Sequence, residues 1–130
     1  IPVITYTNSS NMLVFAKCID FTCASLPMTT VIHSSLGEAS QHAQTRGTQV
    51  AVGTDGLPVI LKHDAASPFA VSVIECGNAQ CSSGNSRVTI DDGVGADAPG
   101  LALAIRESDN ARIITYHDDT MLKIAVLGGP

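Results

Sequence analysis

The sequence predicts an all-β fold of propeller-like, four-stranded antiparallel blades, and three observations carry that expectation. One hexapeptide pattern occurs three times, at Ile1-Pro2-Val3-Ile4-Thr5-Tyr6, Leu57-Pro58-Val59-Ile60-Leu61-Lys62 and Ala111-Arg112-Ile113-Ile114-Thr115-Tyr116, at intervals of 56 and 54 residues. A second pattern follows the first each time, at Leu13–Cys18, Val71–Cys76 and Leu122–Leu127. The apolar runs are short and are bounded by Asp-Gly, Asn and Ser-rich turns, the punctuation of hairpins. Repeats of this length with four strands each read as blades. A β-sandwich of ten strands is the alternative. Residues 1–130 form a single repeat domain of about two and a half repeats of ~54 residues, with boundaries near 48 and 100 and incomplete first and last repeats.

The strands are expected in order. Residues 2–6 and 12–18 flank the turn Thr7-Asn8-Ser9-Ser10-Asn11, whose side chains hydrogen-bond their own backbone. Cys18 to Cys23 form a bracketed loop, and a strand follows near Met28–Ile32. Residues 34–47 have the least strand-like pattern and read as a long connection with room for one helical turn. Strands at 49–52 and 57–62 flank the Asp55-Gly56 turn, with the residues from Asp64 to Pro68 as the next turn. The second repeat continues with 70–76, the Cys76–Cys81 loop and 87–91, where Val88 and Ile90 alternate with Arg87, Thr89 and Asp91. After a loop from Asp92 to Gly100, strands fall at 101–106, 112–116 and 122–127. Leu127 stands where the other repeats have their first cysteine.

Composition narrows the function classes. Hydrophobic residues make up 45% and aromatics 4%, with no Trp, so the core is Val, Ile, Leu and Ala. The net charge is −5 and only seven residues are Lys or Arg, which argues against nucleic acid, whose phosphates require clustered cations. No run reaches the roughly 18 to 20 apolar residues that span a bilayer as a helix. The chain opens on Ile1 rather than Met, as a processed product or an excerpt of a longer protein would.

Cys18 and Cys23 have the same separation as Cys76 and Cys81, at the same point of the repeat. Disulfides closing the two small loops are the favoured reading, each worth about 2 kcal/mol of loop-closure entropy. Zinc, which favours shorter C-x2-C knuckles, and free thiols are the alternatives. Disulfides imply an oxidising, extracellular location.

The run Asp55–Ile60, Val71–Cys76 and Gly77-Asn78-Ala79-Gln80-Cys81-Ser82-Ser83-Gly84-Asn85 resembles a tandem repeat of secreted bacterial β-propeller-like proteins. Those repeats read roughly DGLPVISYYD, LKVAHC and GNxxCSSGN. The likeness covers nearly the whole chain, is strongest in the second repeat, and departs from the pattern at Lys62-His63 and at Leu127. It implies blades and secretion, and carries no catalytic residue across. WD40 and kelch signatures are absent.

Candidate sites are few. Asp91, Asp92 and Asp97 surround two glycines and offer oxygens to calcium, against the simpler reading of a solvated turn. His63-Asp64 and His117-Asp118-Asp119 recur at one point of the repeat; a His–Asp pair can orient a base, but no spacing nominates a nucleophile, so they read as turn-forming polar residues. No catalytic residue, resident metal or cofactor is expected. Asn8-Ser9-Ser10 is an N-x-S sequon, which makes Asn8 a glycosylation candidate.

A blade has two apolar faces and hides them only against neighbours, so the outer faces and edge strands of so short an array should stay open. The expected role is an extracellular structural or interaction protein, not an enzyme. Its partners would be copies of itself, in a filament, ring or surface layer, or neighbouring repeats of a longer chain. The alternatives are a glycan- or protein-binding module and a fragment of a larger secreted protein whose active centre lies in other repeats. A sugar site would have only Tyr6, Tyr116, Phe15, Phe21 and Phe69 for stacking.

Overall fold

The structure, a computed structural model, describes residues 1–25, 27–32, 45–64, 69–96 and 100–128. Every element among the described residues is a strand: β1 (Val3–Thr7), β2 (Leu13–Lys17), β3 (Met28–Val31), β4 (Thr45–Val52), β5 (Pro58–Asp64), β6 (Val71–Glu75), β7 (Ser86–Asp91), β8 (Ala102–Arg106), β9 (Ala111–His117) and β10 (Leu122–Leu127). They form three antiparallel meanders, β1-β2-β3, β4-β5-β6-β7 and β8-β9-β10. The first, second and third sheets correspond to the expected three, four and three strands.

Strand register gives the repeat a physical meaning. Ile4 pairs with Ala16 in the first sheet, Ile60 with Ile74 in the second and Ile114 with Ala125 in the third. These are the residues that the two sequence patterns align. The same backbone bond closes the hairpin in the first two repeats: the Cys18 amide donates to the Pro2 carbonyl and the Cys76 amide to that of Pro58, both at 3.0 Å.

The second sheet lies between the other two, and period-2 alternation divides its side chains between two cores. Ile60 and Ile74 pack with Leu13, Phe15 and Ile32 on the first-sheet side. Val59, Leu61, Val71 and Val73 pack with Ile114 and Tyr116 on the third-sheet side. Strand β5, central in the central sheet, is buried at all seven positions.

Two expectations about turns are corrected. His63 and Asp64 are not turn residues; β5 continues through both, and both are buried. They stay in strand because β4 on one side and β6 on the other still supply ladder partners, Gly47 and Val71, for His63. Strand β4 likewise begins at Thr45 rather than Gln49, because it follows the lengthened β5 through an irregularity between Thr45 and Gly47. The rest of the expected long connection, residues 34–44, and the turn residues 65–68 lie outside the described residues.

Candidate interaction faces

The two cysteine loops are the most fully specified local structures. Cys18 is bonded to Cys23 and Cys76 to Cys81, with Cα separations of 5.1 and 4.7 Å, and no free cysteine remains. In the second loop the Asn78 side-chain oxygen accepts the amides of Gln80 and Ser82, both at 3.1 Å, while its Nδ2 donates to the hydroxyls of Ser82 and Ser83. Asn85 clamps the far side: its Oδ1 accepts the Gly77 amide and its Nδ2 donates to the Cys81 carbonyl. A Cβ on Gly77 would stand 2.4 Å from the Gly84 carbonyl oxygen, so only glycine fits there. Gly77, Asn78, Cys81, Ser82, Ser83 and Asn85 thus each take part in holding this loop.

The first loop uses Asp20 where the second has Asn78. The Asp20 carboxylate accepts the Thr22 hydroxyl and the amides of Thr22 and Ala24. Those bonds, the hydroxyl foremost, hold its pKa at about 2.

Both seams between sheets hold charged groups. Between the first and second sheets, Lys62 Nζ and Asp64 Oδ1 lie 2.8 Å apart and both residues are almost fully buried, with Arg87 close by. Thr48 donates its hydroxyl across this seam to that of Thr5 at 3.1 Å, and Thr30 donates to the Gln80 carbonyl at 3.0 Å. Between the second and third sheets, Arg112 pairs with Glu75 at 3.1 Å. Asp91 Oδ2 accepts the Tyr116 hydroxyl at 2.9 Å and the Lys123 ammonium at 2.8 Å. Lys123 also reaches Asp118 at 2.7 Å. The Lys123 ammonium holds Asp91 and Asp118 below the usual carboxylate range, and they in turn push Lys123 up.

The structure gives the described residues singled out from sequence separate surroundings. Asp91 serves the Lys123 and Tyr116 contacts, Asp92 is exposed, and Asp97 lies outside the described residues. Among the described residues no group of three or more His, Cys, Asp or Glu side chains is arranged to hold a metal. His63 and His117 sit in different sheets. Asn8 forms its turn by accepting the Ser10 and Met12 amides through Oδ1. Asp118, at the same point of the third repeat, does likewise with Thr120 and Met121.

What sequence reading left unresolved is which apolar side chains stay uncovered. Leu13 and Phe15 in the first sheet, and Val71 and Val73 in the second, are at most 1% exposed beneath the following sheet. Their counterparts on β10, Leu122 and Ile124, are 67% and 68% exposed, and the neighbouring Val126 is 57% exposed. The opposite end of the stack repeats the contrast. Ile60 and Ile114 are fully buried against the preceding sheet, whereas their counterpart Ile4 is 49% exposed. Tyr6, counterpart of Lys62 and Tyr116, is 43% exposed. The third sheet thus opens an apolar face on β10, whereas on the first sheet only Ile4 and Tyr6 of β1 are exposed, since Ala16 and Val14, their partners on the same face of β2, are buried. No helix among the described residues is long and apolar enough to cross a membrane. No protein-family model, curated protein or solved structure matches the chain.

Proposed function

We propose that this chain is an extracellular repeat protein with a structural or interaction role, that its sheets are propeller-like blades, and that it associates with itself through the exposed strand β10 of its third sheet. The observation that supports this most is the β10 face, where Leu122, Ile124 and Val126 are all more than half exposed in a row. Contiguous exposed apolar surface of this kind marks an interaction site. The two disulfides support an oxidising location. The role proposed is not enzymatic, because the polar clusters at the seams are taken up in joining sheets. Resemblance to tandem repeats of secreted bacterial proteins agrees with this reading.

Light scattering over a concentration series tests it. Mass should rise with concentration, and fall to that of the monomer when Ile124 is replaced by Lys. A monodisperse monomer throughout the series removes the proposal. The second reading, a glycan-binding module, draws on the exposed Tyr6 and on Phe21, which is 80% exposed. It would be favoured by glycan-array binding that Phe21→Ala abolishes.

A further inference from the structure

We infer that association is a closed dimer in which β10 of one copy pairs edge to edge, antiparallel, with β10 of a second copy across a twofold axis at Ile124. This rests on the self-association proposed above and adds its contact and its register. Strand β10 is an edge strand, in the order β10-β9-β8. The Asp118 amide donates to the Met121 carbonyl at 3.2 Å, which sets the phase of the β9–β10 ladder. Antiparallel ladders alternate bonded and non-bonded pairs, so Lys123 and Ala125 exchange bonds with Tyr116 and Ile114. The peptide groups of Leu122, Ile124 and Val126 then point away from β9. In both other repeats the corresponding edge is occupied: β2 pairs with β3, Phe15 opposite Thr30, and β6 with β7, Val73 opposite Val88. Among the described residues no strand stands beside β10 on that side.

The other edges are blunted against such contacts. Strand β1 is tied to β4 by the Thr48–Thr5 bond, and β3 has only four residues. The β4 register breaks between Thr45 and Gly47, the β6–β7 register breaks at Val71 and Ser72, and β7 carries Arg87. Strand β8 ends in the exposed Arg106. Strand β10 has none of these devices. It runs for six residues in unbroken register with β9, has no proline, and turns its one charge, Lys123, inward onto Asp91 and Asp118. An edge of that kind templates pairing. Its sequence also complements itself in one register. With Ile124 opposite Ile124 of the second copy, Leu122 stands opposite Val126 and Lys123 opposite Ala125. The outward peptide groups then meet one another, apolar side chains stand opposite on the outer face, and Lys123 keeps both aspartates. Centring the axis on Lys123 would oppose two like charges. Centring it on Ala125 would carry Leu122 past the end of the facing strand, which stops at Leu127. The contact is isologous: it occupies β10 on both chains and closes at two copies.

Proline and cysteine variants of the full chain test the contact. Ile124→Pro removes an amide that points away from β9 and takes no bond from the ladder, so the chain should remain folded in thermal unfolding. Its mass by light scattering should be half that of the wild type at concentrations where the wild type is paired. Opposite residues of a bonded antiparallel pair have Cα atoms about 5.5 Å apart, within the reach of a disulfide. Ile124→Cys should therefore cross-link to itself on oxidation, whereas Leu122→Cys and Val126→Cys should cross-link only when mixed 1:1. The cysteine series decides alone if Ile124→Pro does not fold. A folded Ile124→Pro that keeps the wild-type mass would show apolar faces, not edges, in contact. A mixture that gives no cross-link, or Leu122→Cys that links to itself, would show another register or another surface. Growth of the wild type past two copies would show that the contact does not close. Any of these results overturns the closed edge pairing while self-association stands. A wild type that stays monomeric at every concentration overturns both.

Discussion

Asn110 accepts the Thr54 amide on its side-chain oxygen at 3.0 Å, joining the turn between β8 and β9 to the turn between β4 and β5. Its Nδ2 donates to Asp55 Oδ2 at 3.1 Å. Asn110 is nearly buried and has a positive φ of 56°, a conformation that Asn tolerates better than most residues. Backbone form and side-chain reach are both needed, because the turn must bend sharply and still touch the preceding sheet. Gly53 completes the contact from below: a Cβ there would lie 2.6 Å from Asp55 Oδ1 and 2.8 Å from Asn110 Oδ1.

Substitutions at these positions should separate the two requirements. Asn110→Gly keeps the positive φ and loses the cross-seam bonds, at a cost of about 1–2 kcal/mol. Asn110→Ala loses both and should cost about 1 kcal/mol more. Gly53→Ala pushes the two acceptors apart and should destabilise although it touches no core residue. Urea unfolding of the three variants gives the order.

The two cysteine loops should respond differently to acid. Asp20 titrates at about 2 in the folded chain, against roughly 3.9 in an unfolded one. A depressed folded pKa contributes stability that is present above the unfolded value and lost as pH falls from about 4 to about 2. Asn78, which holds the second loop, carries no proton to gain. Amide shifts of Thr22 and Ala24 should therefore move over that range while those of Gln80 and Ser82 stay still. Asp20→Asn should make the first loop as indifferent to acid as the second.

The Lys62–Asp64 pair offers a test of buried charge. Removing one partner takes a close counter-ion from the other between two sheets, and about 3–5 kcal/mol is the upper scale of such cuts. Lys62→Met and Asp64→Leu should each destabilise strongly. The double variant should recover much of the loss, because neither charge then remains to be paired, although Arg87 lies near Asp64 and will retain part of it. Thermal unfolding of the cycle measures the coupling.

Much of this architecture was legible because it is periodic. The three repeats align with one another, so the strands and their grouping by three, four and three were legible from the chain itself. The register is a structural finding, in which Ile4–Ala16, Ile60–Ile74 and Ile114–Ala125 fall at corresponding positions of the two patterns. The cysteine loops were legible for the same reason, since Asp20 and Asn78 hold equivalent posts. Tertiary burial was not. His63 and Asp64 are polar residues after an apolar run, and local chemistry makes that a turn; neighbouring strands extend β5 through them instead. Asp91 reads as a turn or cation ligand in its own segment, and its actual partner, Lys123, lies 32 residues further on. The Asn110 bond to Thr54 spans 56 residues and depends on a backbone angle that no pattern announces.

The Asp91–Tyr116–Lys123 cluster provides the last prediction, and its readout is a phenol rather than a melting curve. The Tyr116 hydroxyl is harder to ionise than an ordinary phenol, first because it is buried and second because it donates to the Asp91 carboxylate. Asp91→Asn removes the negative charge and leaves the burial, so the ionisation should move down without reaching the ordinary value. Ultraviolet titration near the tyrosinate band, with Tyr6→Phe as background to leave one tyrosine, measures it. Stability should change little at neutral pH, by about 0.5–1 kcal/mol, because Lys123 is partly solvated and keeps Asp118. Below pH 4 the wild type and Asp91→Asn should converge: the lowered Asp91 pKa supplies stability only above the unfolded carboxyl range, and acid takes it away. If Tyr116 instead ionises unchanged in Asp91→Asn, its hydroxyl is held by burial alone and the bond across this seam contributes nothing to joining the second and third sheets.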